Sequence, residues 1–272
     1  MVRTFAVIGD PIDHSLSPAM HNAAFLETRM DCTYIAYRVP RGDLSAGLDS
    51  LRAAGIEGYN VTIPHKVAIM ERLDSVSEEC SLIGAANLVH DRGGRRRGFN
   101  TDMEGFLRPL LSRNVPLSGC RVLLLGAGGA ARAGASGLAA RGASHIHVCN
   151  RDTGKARGLA EHCSKMGVSS SSGPLPSYVE GGFDLVVNAT SVGMNGGPSP
   201  ADMSRVPPGV VAYDMVYTPV RTSFLEQAEG ADAATIPGWE MLLHQAALSF
   251  SILHGRDAPV PAMKRALLGV FD

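Results

Sequence analysis

Ten consecutive residues decide the fold: Val122-Leu123-Leu124-Leu125-Gly126-Ala127-Gly128-Gly129-Ala130-Ala131. Four apolar residues that end at a glycine predict a buried strand of a parallel sheet. The small residues that follow open an alanine-rich stretch over residues 129–141, which predicts a helix. In this strand–turn–helix context, the pattern Gly-x-Gly-x-x-Ala favours a dinucleotide-binding turn over a helix start that is merely rich in small residues.

The residues after the next predicted strand bear on which dinucleotide is bound. Two glycines allow a tight turn and close approach of a pyrophosphate, whose charge then faces the positive end of the helix. Arg151 can stack on adenine and pair with a 2′-phosphate, and Lys155 adds charge beside it. Asp152 acts in the opposite direction because a carboxylate repels a phosphate, although it is also a good helix N-cap. NADP is favoured, and NAD stays open.

Strand and helix patterns alternate on both sides of this turn, which predicts an α/β fold with mostly parallel sheets. Before the turn we expect strands at 5–8, 33–39 and 59–63, helices at 18–28 and 43–54, and a linker helix at 103–111. After it we expect strands at 145–149 and 183–188 and a helix at 240–254 that returns to the first domain. The serine run 169–172 is interpreted as a surface loop, and Arg95-Arg96-Arg97 as a solvated hairpin tip.

Composition narrows the class of protein. The chain has 272 residues, enough for two domains, and its 25 Lys and Arg nearly cancel its 26 Asp and Glu. We therefore expect a small-molecule substrate, no nucleic acid and no membrane. Five scattered cysteines without metal-site spacing, and an N-terminus without a signal-peptide pattern, predict reduced thiols, no metal and a cytoplasmic location. The expected assembly is a monomer or a homodimer.

Two polar segments precede the glycine turn: Asn60-Val61-Thr62-Ile63-Pro64-His65-Lys66 and Asn100-Thr101-Asp102. Lys66 follows a predicted parallel strand, at the sheet edge where binding crevices form. A lysine and an aspartate near a nucleotide crevice are suited to moving a proton while a cofactor moves a hydride. Ser15 and Ser17 lie in a loop that can hold a carboxylate, although Ser17 is an equally good cap for the helix that begins with Pro18.

Taken together, the motifs resemble those of the shikimate dehydrogenase family. The similarity runs in the family's order over almost the whole chain and rests on nine motifs: Pro11-Ile12-x-His14-Ser15-x-Ser17-Pro18 with His21-Asn22, Asn60-Val61-Thr62-Ile63-Pro64-x-Lys66, Ile83-Gly84-Ala85-Ala86-Asn87, Asn100-Thr101-Asp102-x-x-Gly105, Gly126-Ala127-Gly128-Gly129-Ala130-Ala131-Arg132, Asn150-Arg151, Asn188-Ala189-Thr190-x-x-Gly193-Met194, Tyr213-Asp214-Met215-Val216-Tyr217-x-Pro219 and Gly238-x-x-Met241-Leu242-x-x-Gln245-Ala246.

The resemblance implies an N-terminal α/β substrate domain over 1–102, completed by C-terminal helices over 238–272, and a Rossmann-type NADP-binding domain over 103–237. It also implies reduction of 3-dehydroshikimate to shikimate with NADP, on the route to chorismate and the aromatic amino acids. Lys66 and Asp102 become the catalytic pair. The implied substrate-binding residues are Ser15, Ser17, Asn60, Thr62, Asn87, Tyr217 and Gln245. The implied cofactor-binding residues are Gly126, Ala127, Gly128, Gly129, Ala130, Asn150, Arg151, Lys155, Thr190, Met215 and Gly238.

Three residues depart from the family's usual pattern and keep alternatives open. Leu88 stands where threonine is common, Asp152 where serine or threonine is usual, and Trp239 where an aliphatic residue is usual. These differences admit a quinate/shikimate dehydrogenase that uses NAD, or an enzyme acting on an amino analogue of shikimate. A non-catalytic protein that senses shikimate-like acids is a further alternative, against which the presence of both Lys66 and Asp102 argues.

Overall fold

The computed structural model describes residues 2–271. The chain forms two compact units: the first runs to Asp102 and resumes at Leu243, and the second comprises Met103–Leu242. Two helices take part in both units, α4 (Asp102–Ser112) and α8 (Gly238–His254). The chain thus re-enters the first unit at Leu243, five residues after the start of α8.

The first unit is built on a six-stranded mixed sheet in the order β2-β1-β3-β5-β6-β4. Its strands are β1 (Arg3–Gly9), β2 (Cys32–Arg38), β3 (Gly58–Val61), β4 (Ser75–Val76), β5 (Leu88–Arg92) and β6 (Arg95–Phe99). Its helices are α1 (Ser17–Glu27), α2 (Leu44–Ala53), α3 (Glu78–Ile83), α9 (Val260–Leu268) and a short 3-10 helix at Ala68–Arg72. Strand β1 pairs in parallel with β2 and β3, whereas β5 is antiparallel to β3 and β6.

The second unit has a six-stranded parallel sheet in the order β12-β11-β10-β7-β8-β9. Its strands are β7 (Arg121–Leu125), β8 (His145–Cys149), β9 (Ser169–Gly173), β10 (Leu185–Asn188), β11 (Val211–Asp214) and β12 (Ala234–Ile236). Its other helices are α5 (Gly129–Ala140), α6 (Thr153–Lys165), α7 (Ser223–Gly230) and a short 3-10 helix at Met194–Gly196. The predicted α/β class with mostly parallel sheets is confirmed.

Apolar cores fill both units at the positions that the strand patterns predict. In the first unit, Ile8 and Val61 from neighbouring strands pack with Leu48 and Leu51 of α2. In the second, the buried strands β7, β8 and β10 are covered by α5 and α6, and Phe106 of α4 stacks on Tyr213 at 4.9 Å between ring centroids. Strands buried on both faces read as continuous apolar runs, which is why Val122–Leu125 was recognisable.

Two predictions were wrong. The serine run is not a loop but most of edge strand β9, because Ser169 and Ser171 hydrogen-bond across to His145 and His147 on β8. The arginine triplet is not the hairpin tip, since Gly93 and Gly94, both with positive φ, form that turn. Arg95–Arg97 lie within β6, and the Arg96 side chain is only 14% exposed and pairs with Asp91 at 3.0 Å.

Candidate active site

Lys66 and Asp102 form a nearly buried ion pair in the first unit. The Lys66 Nζ lies 2.6 Å from Asp102 Oδ2, and the side chains are 14% and 4% exposed. Strand β3 ends at Val61, and the turn that follows brings Lys66 beside Ala86, whose N–H donates to the Lys66 carbonyl at 2.8 Å. A charged pair with so little water around it interacts more strongly than one on the surface. The ammonium is therefore held in one place and still partly accessible.

The other oxygen of the Asp102 carboxylate is held by Asn87. Asn87 Nδ2 donates to Asp102 Oδ1 at 2.8 Å and to the Thr101 hydroxyl at 2.9 Å. The amide cannot be reversed, because its Oδ1 accepts from the Thr101 backbone N–H at 2.7 Å. Asn100 adds a further restraint by accepting the Asp102 N–H at 3.0 Å. The carboxylate is thus fixed from both sides.

Asn60 and Gln245 border this pair, but through different contacts. Asn60 Nδ2 donates to the Asn87 carbonyl at 3.1 Å and to the Ser249 hydroxyl at 2.9 Å, and its Oδ1 accepts from Tyr34. The Gln245 Oε1 lies 3.4 Å from Asn87 Nδ2, at the limit of a hydrogen bond. The structure thus brings together Asn60, Lys66, Asn87, Asp102 and Gln245. Asn60 is 5% exposed, and protein groups engage both of its amide hydrogens and its oxygen.

Sequence reasoning missed two hydroxyls of this network, those of Tyr34 and Ser249. Both side chains are buried, and Ser249 also contacts the Thr101 hydroxyl at 3.0 Å. One signal was present in the sequence: Ser249 follows Gln245 by four residues, so both lie on one face of a helix with few charged residues. A buried polar side chain needs a hydrogen-bond partner.

The loop after β1 carries Ser15 and Ser17, and its first residues contact the Thr62 segment. The Ser15 hydroxyl accepts weakly from the Ser17 N–H at 3.4 Å. The loop and the Thr62 segment are tied together, since Asp10 N–H donates to the Ile63 carbonyl at 2.9 Å and Thr62 N–H to the Ile8 carbonyl at 2.8 Å. The alternative that Ser17 caps α1 is wrong, because the helix begins at Ser17 and no side chain caps it.

The glycine turn has the geometry that close approach of a phosphate requires. Gly126 has φ +115°, and a Cβ there would lie 2.7 Å from the Ala189 carbonyl oxygen, so no other residue fits. Gly128 precedes α5, where no side chain caps the helix, and a Cβ on it would meet no atom within 4 Å. The turn residue Ala127 and the helix residues Gly129 and Ala130 complete this opening. The turn therefore fits the pyrophosphate of a dinucleotide.

The remaining cofactor candidates lie at the same edge of the parallel sheet. Asn150 follows β8, and its amide donates to the Asp152 carbonyl at 3.0 Å. Asp152 is the N-cap of α6, because its side chain accepts from the Lys155 N–H at 3.2 Å. Arg151 and the Lys155 side chain are exposed beside it. Asp152 thus has a structural role that accounts for part of its presence.

Thr190, Met215 and Gly238 surround the ends of β10 and β11. The Thr190 hydroxyl donates to Asn188 Oδ1 at 2.7 Å, and Met215 N–H donates to the Asn188 carbonyl at 2.8 Å. A Cβ at Gly238 would overlap the backbone carbonyls of Met215 and Val216. Because β10 adjoins β7, these residues lie near the glycine turn. Tyr217 also belongs to this second unit, three residues after β11, where burial raises the pKa of its phenol.

A buried carboxylate organises this edge. Asp214 accepts from Asn188 Nδ2 at 2.9 Å, from the Thr222 hydroxyl at 2.6 Å and from the Val216 N–H at 2.9 Å. Burial raises its pKa to about 6, and the three donors oppose that rise. Asp214 therefore holds the ends of β10 and β11 together.

Other kinds of site find no support in the part of the chain that the structure describes. No three His, Cys, Asp or Glu side chains between residues 2 and 271 gather as ligands for a metal ion. All five cysteines are free thiols. Every helix of the described range is too short or too polar to span a bilayer.

A parallel sheet with an uncapped glycine turn, on the same chain as a buried lysine–carboxylate pair, defines a nicotinamide-dependent oxidoreductase. Three family models match the chain: the shikimate dehydrogenase substrate binding domain over residues 7–89, shikimate/quinate 5-dehydrogenase over 110–193 and the shikimate 5′-dehydrogenase C-terminal domain over 238–268. The chain belongs to the shikimate dehydrogenase family.

Individual relatives extend this similarity over the full chain. The chain is 48% identical to a shikimate dehydrogenase (NADP+) of Nitrosopumilus maritimus, with 100% of both sequences covered. It is 38% identical to the Thermus thermophilus shikimate 5-dehydrogenase solved with NADP(H) and shikimate, covering 98% of this chain and 99% of that one with a TM-score of 0.86. It is 33% identical to a ligand-free 5-ketofructose reductase of Gluconobacter, covering 100% and 99% with the same TM-score.

Proposed function

We propose that this chain catalyses the reversible NADPH-dependent reduction of 3-dehydroshikimate to shikimate, on the route to chorismate and the aromatic amino acids. The observation that carries the proposal is the 2.6 Å pair of Lys66 and Asp102, set in motifs of the family. We assign substrate binding to residues 1–102 with 238–272, and NADP binding to residues 103–237. The match of residues 7–89 to a substrate binding domain supports the first assignment.

When bound, NADPH supplies the hydride that the ketone carbon receives. Negative charge then develops on the ketone oxygen, and a positioned donor at that oxygen lowers the barrier. Lys66 provides both the positive charge and the proton. Asp102 holds the ammonium and accepts from the adjacent ring hydroxyl, so that the substrate and the proton donor share one anchor. In the direction of shikimate oxidation, Lys66 takes the proton back.

The other candidates divide between the substrate and the cofactor. Ser15, Ser17 and Thr62 hold the substrate carboxylate through hydroxyl and backbone donors, and Asn87 contacts a ring hydroxyl. Tyr217 and Gln245 are also assigned to substrate binding. The turn from Gly126 to Ala130 receives the pyrophosphate, and Thr190, Met215 and Gly238 line the nicotinamide side. Asn150, Arg151 and Lys155 receive the adenosine 2′-phosphate. The exposed cations at positions 151 and 155 support NADP, since each can pair with that phosphate.

The free thiols support a reducing compartment, and we propose a cytoplasmic enzyme. We propose a monomer or a homodimer, which light scattering of the purified protein distinguishes.

Initial rates of NADP and NAD reduction with shikimate or quinate test the proposal. Lys66→Ala is expected to lower kcat by about 10² to 10⁴, the usual contribution of general acid–base assistance. Lys165→Ala, which removes an exposed lysine at the end of α6, is the matched control and leaves the rate unchanged.

Each alternative has its own outcome in this experiment. Faster turnover with NAD or quinate than with NADP and shikimate would replace the proposed specificity by that of a quinate dehydrogenase. Reduction of 5-ketofructose in preference to 3-dehydroshikimate would move the substrate class to open-chain or sugar ketones. Binding of shikimate without turnover would indicate a sensor, and full activity in Lys66→Ala would remove that lysine from the chemistry.

A further inference from the structure

Ser249 lies in α8, has no exposed surface, and joins two parts of the polar network behind the Lys66–Asp102 pair. Its hydroxyl accepts from Asn60 Nδ2 at 2.9 Å and forms a hydrogen bond with the Thr101 hydroxyl at 3.0 Å. Asn60 is on β3, Thr101 precedes α4, and Ser249 lies 148 residues after Thr101 on the returning helix. The contact is therefore a product of the tertiary fold.

The hydrogen bonds of this network restrain both the Asn60 amide and the Thr101 hydroxyl. Both amide hydrogens of Asn60 are used, one on Ser249 and one on the Asn87 carbonyl, and its oxygen accepts from the Tyr34 hydroxyl at 2.7 Å. The Thr101 hydroxyl oxygen accepts from Asn87, and the same hydroxyl bonds to Ser249. Together the two bonds fix the rotation of the Thr101 hydroxyl. Loss of the Ser249 oxygen would leave one buried Asn60 hydrogen without this acceptor and free the Thr101 rotor.

The consequence reaches the reacting groups through Asn87. One Asn87 amide nitrogen serves both Thr101 Oγ1 and Asp102 Oδ1, at 2.9 and 2.8 Å. A Thr101 hydroxyl that rotates changes the direction in which this amide is held. The amide in turn positions the carboxylate whose other oxygen holds Lys66. Small misplacements of catalytic groups have large effects on rate.

We infer that Ser249 is a positioning residue, which acts through Thr101 and Asn87 to orient the Asp102 carboxylate and, with it, the Lys66 ammonium. The inference rests on the proposed function for its kinetic effect. It also predicts a property of the protein without substrate, namely how firmly Asp102 holds Lys66.

Ser249→Ala is the principal variant and Ser251→Ala its control. Ser251 is on the same helix, but its hydroxyl donates to the Ala247 carbonyl one turn earlier at 3.2 Å. Ser249→Ala is expected to lower kcat about 10-fold with a KM change below about 3-fold, because orientation rather than binding is lost. The pH dependence of kcat for Ser249→Ala is expected to differ from that of wild type. Ser251→Ala keeps the wild-type kcat and profile.

A double-mutant cycle separates positioning from a general loss of packing. If Ser249 acts through the Thr101 hydroxyl, then Ser249→Ala in a Thr101→Val background lowers kcat much less than it does in wild type. Additive effects of the two changes on kcat would overturn the inference. Thermal melts of all variants identify one that fails to fold, and Ser249→Cys, which keeps the side-chain shape with a larger and more weakly polar atom, then takes its place.

Labelling of Lys66 by a small amine-acylating reagent, followed by mass spectrometry, needs no turnover. The Lys66 amine is expected to react several-fold faster in Ser249→Ala than in wild type or Ser251→Ala, because Asp102 restrains it less. If the wild-type protein does not turn over but Lys66 is still labelled faster in Ser249→Ala, only the proposed function is wrong. If the wild-type protein turns over normally, and Ser249→Ala and Ser251→Ala have equal labelling and equal kcat, only the role of Ser249 is wrong.

Discussion

Asn87 donates to Asp102 Oδ1 at 2.8 Å while Lys66 donates to Asp102 Oδ2 at 2.6 Å, so the two oxygens of one carboxylate receive two different donors. The backbone of Thr101 fixes the orientation of the amide, and the amide then fixes the carboxylate. The position of the ammonium therefore depends on an uncharged side chain that a search for ionisable pairs would omit.

Asp102→Asn is expected to lower kcat/KM about 10²-fold, because an amide offers one acceptor to two facing donors and carries no charge to hold the ammonium. Steady-state kinetics with shikimate and NADP measure the loss. Glu104→Gln on the same helix is the control, since its half-exposed carboxylate pairs with Arg108. Equal activity of the two variants would exclude Asp102 from the catalytic pair.

Gly126→Ala and Gly128→Ala are expected to fail for different reasons. A Cβ at Gly126 meets the Ala189 backbone at φ +115°, so the substitution destabilises the second unit by about 2 kcal/mol or more. Gly128 has φ −85° and open space, so Gly128→Ala keeps the melting temperature. It weakens NADP binding by about 10-fold, because the methyl group lies where backbone must approach phosphate. Calorimetric titration and thermal melts would separate the two effects, and unchanged affinity in Gly128→Ala would place the pyrophosphate elsewhere.

Asp152→Ser is expected to lower the KM for NADP about 3-fold and leave that for NAD unchanged. Serine keeps the N-cap that Asp152 provides to α6, while removal of one exposed negative charge contributes roughly 1 kcal/mol or less. Glu161→Gln, which removes a charge farther along the same helix, controls for net charge. A lower KM for NAD as well would show that Asp152 does not discriminate through the 2′-phosphate.

His21 is expected to make the first unit sensitive to acid. Its ring stacks on Tyr34 at 4.2 Å, and neither nitrogen has a hydrogen-bond partner within residues 2–271. Burial lowers its pKa to about 3 from 6.5, with a smaller contribution from His254. Below pH 6.5 the unfolded chain binds a proton that the folded chain does not, so stability falls as the pH falls. At about 1.4 kcal/mol per pH unit, the loss is about 3 kcal/mol by pH 4.

His21→Phe removes this ionisation and keeps the aromatic contact. Denaturant unfolding followed by circular dichroism from pH 4 to 8 should therefore show a shallower slope below pH 6.5 than in wild type. His14→Gln, at an exposed position, keeps the wild-type slope. An unchanged slope in His21→Phe would show that His21 is protonated in the folded protein.

Asp214 acts with the opposite sign, since its raised pKa of about 6 makes stability fall as pH rises between 3.8 and 6.

Regular elements were predictable wherever their apolar pattern was local. Strand β8 has the predicted bounds, and β7 and α5 differ from prediction by one residue. Strand β9 was not predictable from composition, because its serines are stabilised by histidines on the neighbouring strand rather than by an apolar face. Arg96 looked solvated as one of three arginines, yet its burial depends on Asp91 of the paired strand.

The sequence by itself determined the family, the alternation of strands and helices, and the residue types of the site, because glycine turns, caps and apolar periods act over a few residues. Only the tertiary structure decided which groups meet. Lys66 and Asp102 are 36 positions apart, and Ser249 reaches Thr101 across 148 positions. Such contacts depend on how β3, the residues that lead into α4 and the part of α8 from Leu243 onward pack in the first unit. Spacing along the sequence does not give the distances between those elements. The orientation of the Asp102 carboxylate and the role of Ser249 are therefore visible only in the folded chain.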